Sequence, residues 1–167
     1  MTETVQKLTI FKVFQCPRFL LFFVKFAAGN SVQYHQKKLE MQKQKAVFLD
    51  RDGVLNRELG DYVCRFEDFH VHEHNFETLK KLQDRGYLLL IATNQGGLAK
   101  GWYTEEILKQ MHDHLQDEYA KHGIQITDIY FCPHHPNFTG ECDCRKPKPG
   151  MLLRGVAEHN IDPAKSY

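Results

Sequence analysis

The 167-residue chain lacks an excess of either charge: 22 Lys and Arg stand against 21 Asp and Glu, a formal net charge of +1. With neither a basic stripe nor an acidic tail, electrostatics argues against nucleic acid and anionic membranes as partners. A long apolar run is also missing. The longest, Phe19 to Ala28, is interrupted by Lys25, and a bilayer-spanning helix needs about 20 apolar residues. As a secretion signal it is poor, because a long stretch precedes it and no clear small-residue cleavage site follows. Internal repeats and low-complexity tracts are absent. The five cysteines are an odd number, and Cys132, Cys142 and Cys144 crowd together. That pattern suits metal binding in a reducing compartment better than a disulfide framework. What is left is a globular, cytoplasmic chain of one domain's length.

Residues 1–44 read as an N-terminal extension of unclear role. Aromatic clusters alternate there with lysines, without helical or strand period. Met41 followed by Gln-Lys-Gln-Lys reads as a natural beginning; an anchor or a pairing strand is the alternative. From Lys45 the pattern becomes orderly. Ala46 to Asp50 is a buried-type strand. Phe76, Leu79, Leu82 and Tyr87 recur at helical spacing, with Gly86 as a stop signal. Tyr87 to Thr93 is a second strand. Thr104 can cap a helix whose first turn holds Glu105 and Glu106 and whose stripe is Ile107, Met111 and Leu115. Thr127 to Cys132 is a third strand, and Pro149 and Gly150 precede a last helix. Strands alternating with helices predict an α/β fold, a Rossmann-like parallel sheet with helices on both faces. Its ligands are expected at the carboxyl ends of the strands.

The first strand delivers Asp50 and Asp52 to its carboxyl end before Gly53. Two acids two residues apart face one side of an extended backbone. Their repulsion needs a reason, and a divalent cation such as magnesium supplies one. Taken alone, D-x-D-G also fits a solvated acidic turn. The second strand ends in Thr93, Asn94, Gln95, Gly96 and Gly97, a hydroxyl and amide followed by glycines, able to hold a phosphoryl group. Arg145 and Lys146 precede Pro147; by themselves they fit a solvated turn. Cys132, His134, Cys142 and Cys144 can present four ligands to a structural zinc. Free thiols or a Cys142–Cys144 bridge are the alternatives.

From Lys45 to Tyr167 the chain resembles the haloacid dehalogenase superfamily, with three motifs in order. The C-P-H-H-P and C-D-C-R-K-P-K-P-G-M stretches resemble its heptose-bisphosphate phosphatase and histidinol-phosphatase branch. The resemblance implies hydrolysis of a sugar phosphate through an aspartyl-phosphate. Asp50 would be the nucleophile and Asp52 the general acid and base, with magnesium held by both. It implies phosphate or substrate contacts by Arg51, Glu58, Gly60, Asp61, Tyr62, Thr93, Asn94, Gln95, Gly96, Arg145 and Lys146. Gly60 to Val63 and the P-G-M-L ending resemble the enzyme for D-glycero-D-manno-heptose 1,7-bisphosphate; histidinol phosphate is the alternative substrate.

Superfamily members continue past the last helix with a strand ending in G-D and further acids. On that comparison the 45–167 domain is expected to lack its last strands, to bare an edge of its first strand, and to turn over weakly. A non-catalytic zinc-binding fragment is the competing reading. A monomer with a small-molecule partner completes the expectations.

Overall fold

The computed structural model describes residues 43–167. The expectations placed on residues 1–42 lie outside the described residues.

Three strands form one parallel sheet in the order β1-β2-β3: β1 is Lys45–Leu49, β2 is Tyr87–Asn94 and β3 is Ile126–Cys132. Parallel neighbours require crossover connections, supplied by two helices, α1 (Phe76–Asp84) and α2 (Glu105–Lys121). A four-residue helix α3 (Pro136–Thr139) and helix α4 (Gly150–Glu158) follow β3. Thr104 caps α2, its side chain accepting from the Ile107 N–H. The expected boundaries move by a residue or two, within ordinary fraying of element ends.

Alternation along β2 sorts the core into two layers, because successive strand side chains face opposite ways. Leu89 and Ile91 join Leu79 of α1 and Met111, Leu115 and Tyr119 of α2. Leu90 and Ala92 join Met151, Leu152 and Val156 of α4. Helices therefore cover both faces, the doubly wound arrangement read from the sequence.

One expectation about the sheet needs correction. The outer edge of β1 is not bare: the Tyr167 N–H donates to the Ala46 carbonyl at 3.0 Å and the Phe48 N–H to the Tyr167 carbonyl at 2.7 Å. Gln44 and Ile161 also form a parallel bridge. The backbone after α4 turns back along β1 because Asp162 caps the Pro163–Lys165 turn and Ser166 Oγ accepts from the Ala46 N–H. Among the described residues no helix is long and apolar enough to cross a membrane.

Candidate active site

Parallel strands place their carboxyl ends side by side, so the loops after β1, β2 and β3 meet at one rim. A cleft of about 320 Å³ opens there, lined by Asp50, Asp52, Glu58, Asp61, Tyr62, Thr93, Asn94 and Lys146. Residues far apart in sequence converge. Lys146 Nζ lies 2.6 Å from Asp50 Oδ2. Its position is set by Asn94, which accepts from the Lys146 N–H at 3.0 Å and donates to the Lys146 carbonyl at 3.2 Å. The other Asp50 oxygen accepts from the Arg51 N–H at 2.8 Å. Asp50 is 44% exposed, open enough for a substrate to reach it.

Three side chains grip Asp52, which still lines the cleft. Arg51 donates to it from Nε at 3.1 Å and from Nη2 at 2.8 and 3.0 Å. Asn56 Nδ2 adds a bond of 3.0 Å and Gln95 Nε2 one of 2.7 Å. Gln95 is itself fixed, donating to Thr93 Oγ1 at 2.9 Å and accepting from Tyr103 O–H at 2.6 Å. Burial pushes the Tyr103 phenol far above its ordinary value, so it stays a donor. Gly53, with φ +77°, turns the chain directly after the two acids, as expected of a residue without Cβ.

Two of the expected contact residues keep their side chains out of the cleft. Arg51 does not face the cleft: its side chain is wholly buried and its fork is spent on Asp52. The alternation that presents Asp50 and Asp52 to one side turns Arg51 to the other. Gln95 is also fully buried, bracing Asp52 rather than lining the opening. Gly60, with φ +84°, turns the exposed loop that brings Glu58, Asp61 and Tyr62 to the rim. Gly96 is placed where Tyr62, Arg145 and His135 close in: an added Cβ would lie 2.9 Å from Tyr62 Oη and 3.1 Å from Arg145 Nη1. Asn56, Tyr103 and His112 belong to the surroundings of Asp52 and were not singled out. Asn56 sits four residues after Asp52 in the same loop. The other two are joined to the site only by the fold.

Cys132, His134, Cys142 and Cys144 gather beside this rim, their ligand atoms all within 4.8 Å of one another. Cys144 Sγ lies 3.1 Å from Cys132 Sγ and 3.5 Å from Cys142 Sγ, and His134 Nδ1 lies 3.3 Å from Cys144 Sγ. These spacings approach the edges of a tetrahedron around zinc, about 3.8 Å between thiolates bonded at about 2.3 Å. The cysteines are free, not bridged. Burial and hydrogen bonding with Cys144 push the Cys132 thiol up to about 12, a cost that a bound cation would reverse. Arg145, next to Lys146, closes this loop on itself, donating to the His134 carbonyl at 3.0 Å.

The Asp50 carboxylate offers the hard oxygen donors magnesium prefers and suits it, whereas the Asp52 carboxylate is taken up by Arg51, Asn56 and Gln95. Asp50 has the more open side chain.

The chain is similar to known proteins in sequence and in fold. A family model described as polynucleotide kinase 3 phosphatase matches residues 45–165. The D-glycero-beta-D-manno-heptose-1,7-bisphosphate 7-phosphatase of Haemophilus ducreyi is 46% identical over 132 residues, covering 74% of this chain and 70% of that protein. The D-glycero-alpha-D-manno-heptose-1,7-bisphosphate 7-phosphatase of Campylobacter jejuni is 46% identical over 120 residues, covering 72% and 67%. Among solved structures, the D,D-heptose 1,7-bisphosphate phosphatase of B. bronchiseptica, complexed with magnesium and phosphate, matches with a TM-score of 0.65 and 31% identity. That match covers 71% of this chain and 65% of the other. This chain thus spans about two thirds of the length of these relatives, and it belongs to the haloacid dehalogenase-like phosphatases, in the branch of the heptose-1,7-bisphosphate 7-phosphatases.

Proposed function

We propose that this chain hydrolyses the 7-phosphate of D-glycero-D-manno-heptose 1,7-bisphosphate through an aspartyl-phosphate. The contact of Lys146 with Asp50 at 2.6 Å carries the reading, because it joins a cation to the nucleophile in the cleft at the strand ends. Relatives acting on the alpha and the beta anomer are equally similar, so the proposal concerns the shared 7-phosphate and not the anomer.

An Asp50 carboxylate oxygen attacks phosphorus, forming a new P–O bond as the bond to the sugar oxygen breaks. Asp52 gives its proton to that leaving oxygen. Asp52 then takes a proton from water, and the water oxygen attacks phosphorus. The bond to Asp50 breaks, releasing phosphate and restoring both acids. Lys146 neutralises charge on Asp50 and the phosphoryl oxygens, the dominant demand of this transfer. Thr93 and Asn94 donate to the phosphoryl group. Glu58, Asp61 and Tyr62 face the sugar, and Arg145 reads the substrate from the loop after Cys144. Asp50 and Asp52 would hold a magnesium ion, which would add neutralisation of phosphate charge.

Zinc at Cys132, His134, Cys142 and Cys144 is proposed as structural, since four protein ligands leave no open position. A reducing compartment, the cytoplasm, keeps these thiols free to bind. The assignment of a monomer acting on a small molecule goes with this reading.

A substrate panel tests it. Heptose 1,7-bisphosphate should be hydrolysed in preference to histidinol phosphate. A preference for histidinol phosphate would transfer the assignment to the other branch. Because the matching family model is that of a polynucleotide phosphatase, a 3′-phosphorylated oligonucleotide belongs in the panel. Its preferential hydrolysis would refute the sugar-phosphate reading.

A further inference from the structure

Arg51 poses a burial problem. A guanidinium with no solvent exposure must be paired in charge and satisfied in its N–H groups. Asp52 takes Nε and Nη2. The remaining nitrogen, Nη1, meets His112 Nε2 at 3.2 Å. His112 stands on α2 and is 8% exposed, with the Phe131 ring of β3 5.8 Å away. The Phe69 ring lies 5.4 Å from Arg51 Cζ and covers the guanidinium face.

The chemistry of the pair allows one arrangement. Guanidinium has donors and no acceptor, so His112 Nε2 must offer its lone pair and the ring proton must sit on Nδ1. Protonation of Nε2 would turn two donors against each other and set a second cation beside a buried one. The charged groups acting on His112 are Arg51, Asp52 and Asp113; burial first and Arg51 second hold the imidazole down to about 4.

We propose that His112 is a positioning residue. As the neutral Nδ1–H tautomer it accepts from Arg51, fixes the plane of the Arg51 fork, and through that fork aims the Asp52 carboxylate into the cleft. Helix α2, which contributes no residue to the cleft lining, would thereby take part in proton transfer. The inference rests on the reading of Asp52 as general acid and base.

The test has two parts. Nitrogen NMR of the folded chain at pH 7, without magnesium or substrate, should show His112 as the Nδ1–H tautomer with Nε2 unprotonated. An Nε2–H or doubly protonated ring would overturn the proposal, whatever the activity. Kinetics at saturating magnesium supply the second part. His112→Leu should lower kcat by about 10²-fold, the typical effect of a misplaced catalytic group. KM should hold, since neither Arg51 nor His112 lines the cleft. His112→Gln, whose side-chain oxygen can accept from Nη1, should restore most of kcat. Unchanged kcat in folded His112→Leu, equal losses in both variants, or a loss confined to KM would overturn the positioning role. Wild-type turnover in Asp52→Asn would instead refute the proposed role of Asp52, and the tautomer measurement would remain valid.

Discussion

At the residue scale, Asp50 and Asp52 differ in their partners. Asp50 is open and faces one cation; Asp52 is gripped by Arg51, Asn56 and Gln95. Asp50→Asn should abolish turnover, because an amide is not a competent nucleophile. Asp52→Asn should cost about 10²- to 10⁴-fold through lost proton transfer. Steady-state rates of the two variants at matched folded concentration check both expectations. His112 makes a separate prediction for stability. Its ordinary value is 6.5 and burial, with Arg51, holds it to about 4 in the folded chain. Between those values the unfolded chain binds a proton that the folded chain refuses. Stability from this residue is therefore complete above pH 6.5 and falls as pH drops through the window, by about 2 kcal/mol at pH 5. Urea unfolding at pH 7 and pH 5 should show a larger loss for the wild type than for His112→Gln. Equal losses would contradict the buried neutral imidazole.

At the scale of elements, the strand-to-helix turn after β2 leaves no room for a side chain at Gly97. A Cβ on Gly97 would lie 2.3 Å from the Tyr103 ring, and Tyr103 is 4% exposed with its hydroxyl committed to Gln95. The ring has nowhere to go. Gly97→Ala should destabilise the fold by about 1–3 kcal/mol, the usual range for overpacking. It should also disturb Asp52 through Gln95; a urea midpoint matching the wild type would contradict this. The loop from Cys132 to Lys146 makes a second prediction. Zinc should be present at about one atom per chain, and Cys142→Ser should lower that content and weaken substrate binding, because Arg145 hangs on the His134 carbonyl. Elemental analysis of protein purified without chelators checks the first claim, and absence of zinc would remove it. Much of this was legible in the sequence. Apolar runs located β1, β2 and β3, helical spacing located α1 and α2, and short motifs placed Asp50, Asp52, Thr93, Asn94 and Lys146 at strand ends. The surroundings of Asp52 were harder to read. Arg51 lies inside the D-x-D-G motif and was grouped with it, although strand alternation turns it inward. His112 follows Met111 on the buried side of α2, and nothing local to that helix reveals that it faces Arg51. Contacts across long sequence separations come from packing, which short-range patterns do not encode.

At the scale of the whole molecule, three loops from one parallel sheet bring Asp50, Asp52 and Lys146 to one rim, with the thiol cluster beside it. Asp50 and Asp52 are not joined by a third potential ligand in any close group among the described residues. Magnesium that keeps most of its waters binds weakly, so half-saturation in the millimolar range is expected by titration calorimetry; submicromolar affinity would contradict this account of the site. The central claim is covalent catalysis by Asp50 at the 7-phosphate of a heptose bisphosphate. Its most direct test is phosphate release from heptose 1,7-bisphosphate at saturating magnesium, compared between the 167-residue chain and its Asp50→Asn variant. The unaltered chain should release phosphate from the 7-position, and the variant none above background. Equal release by both would contradict that claim.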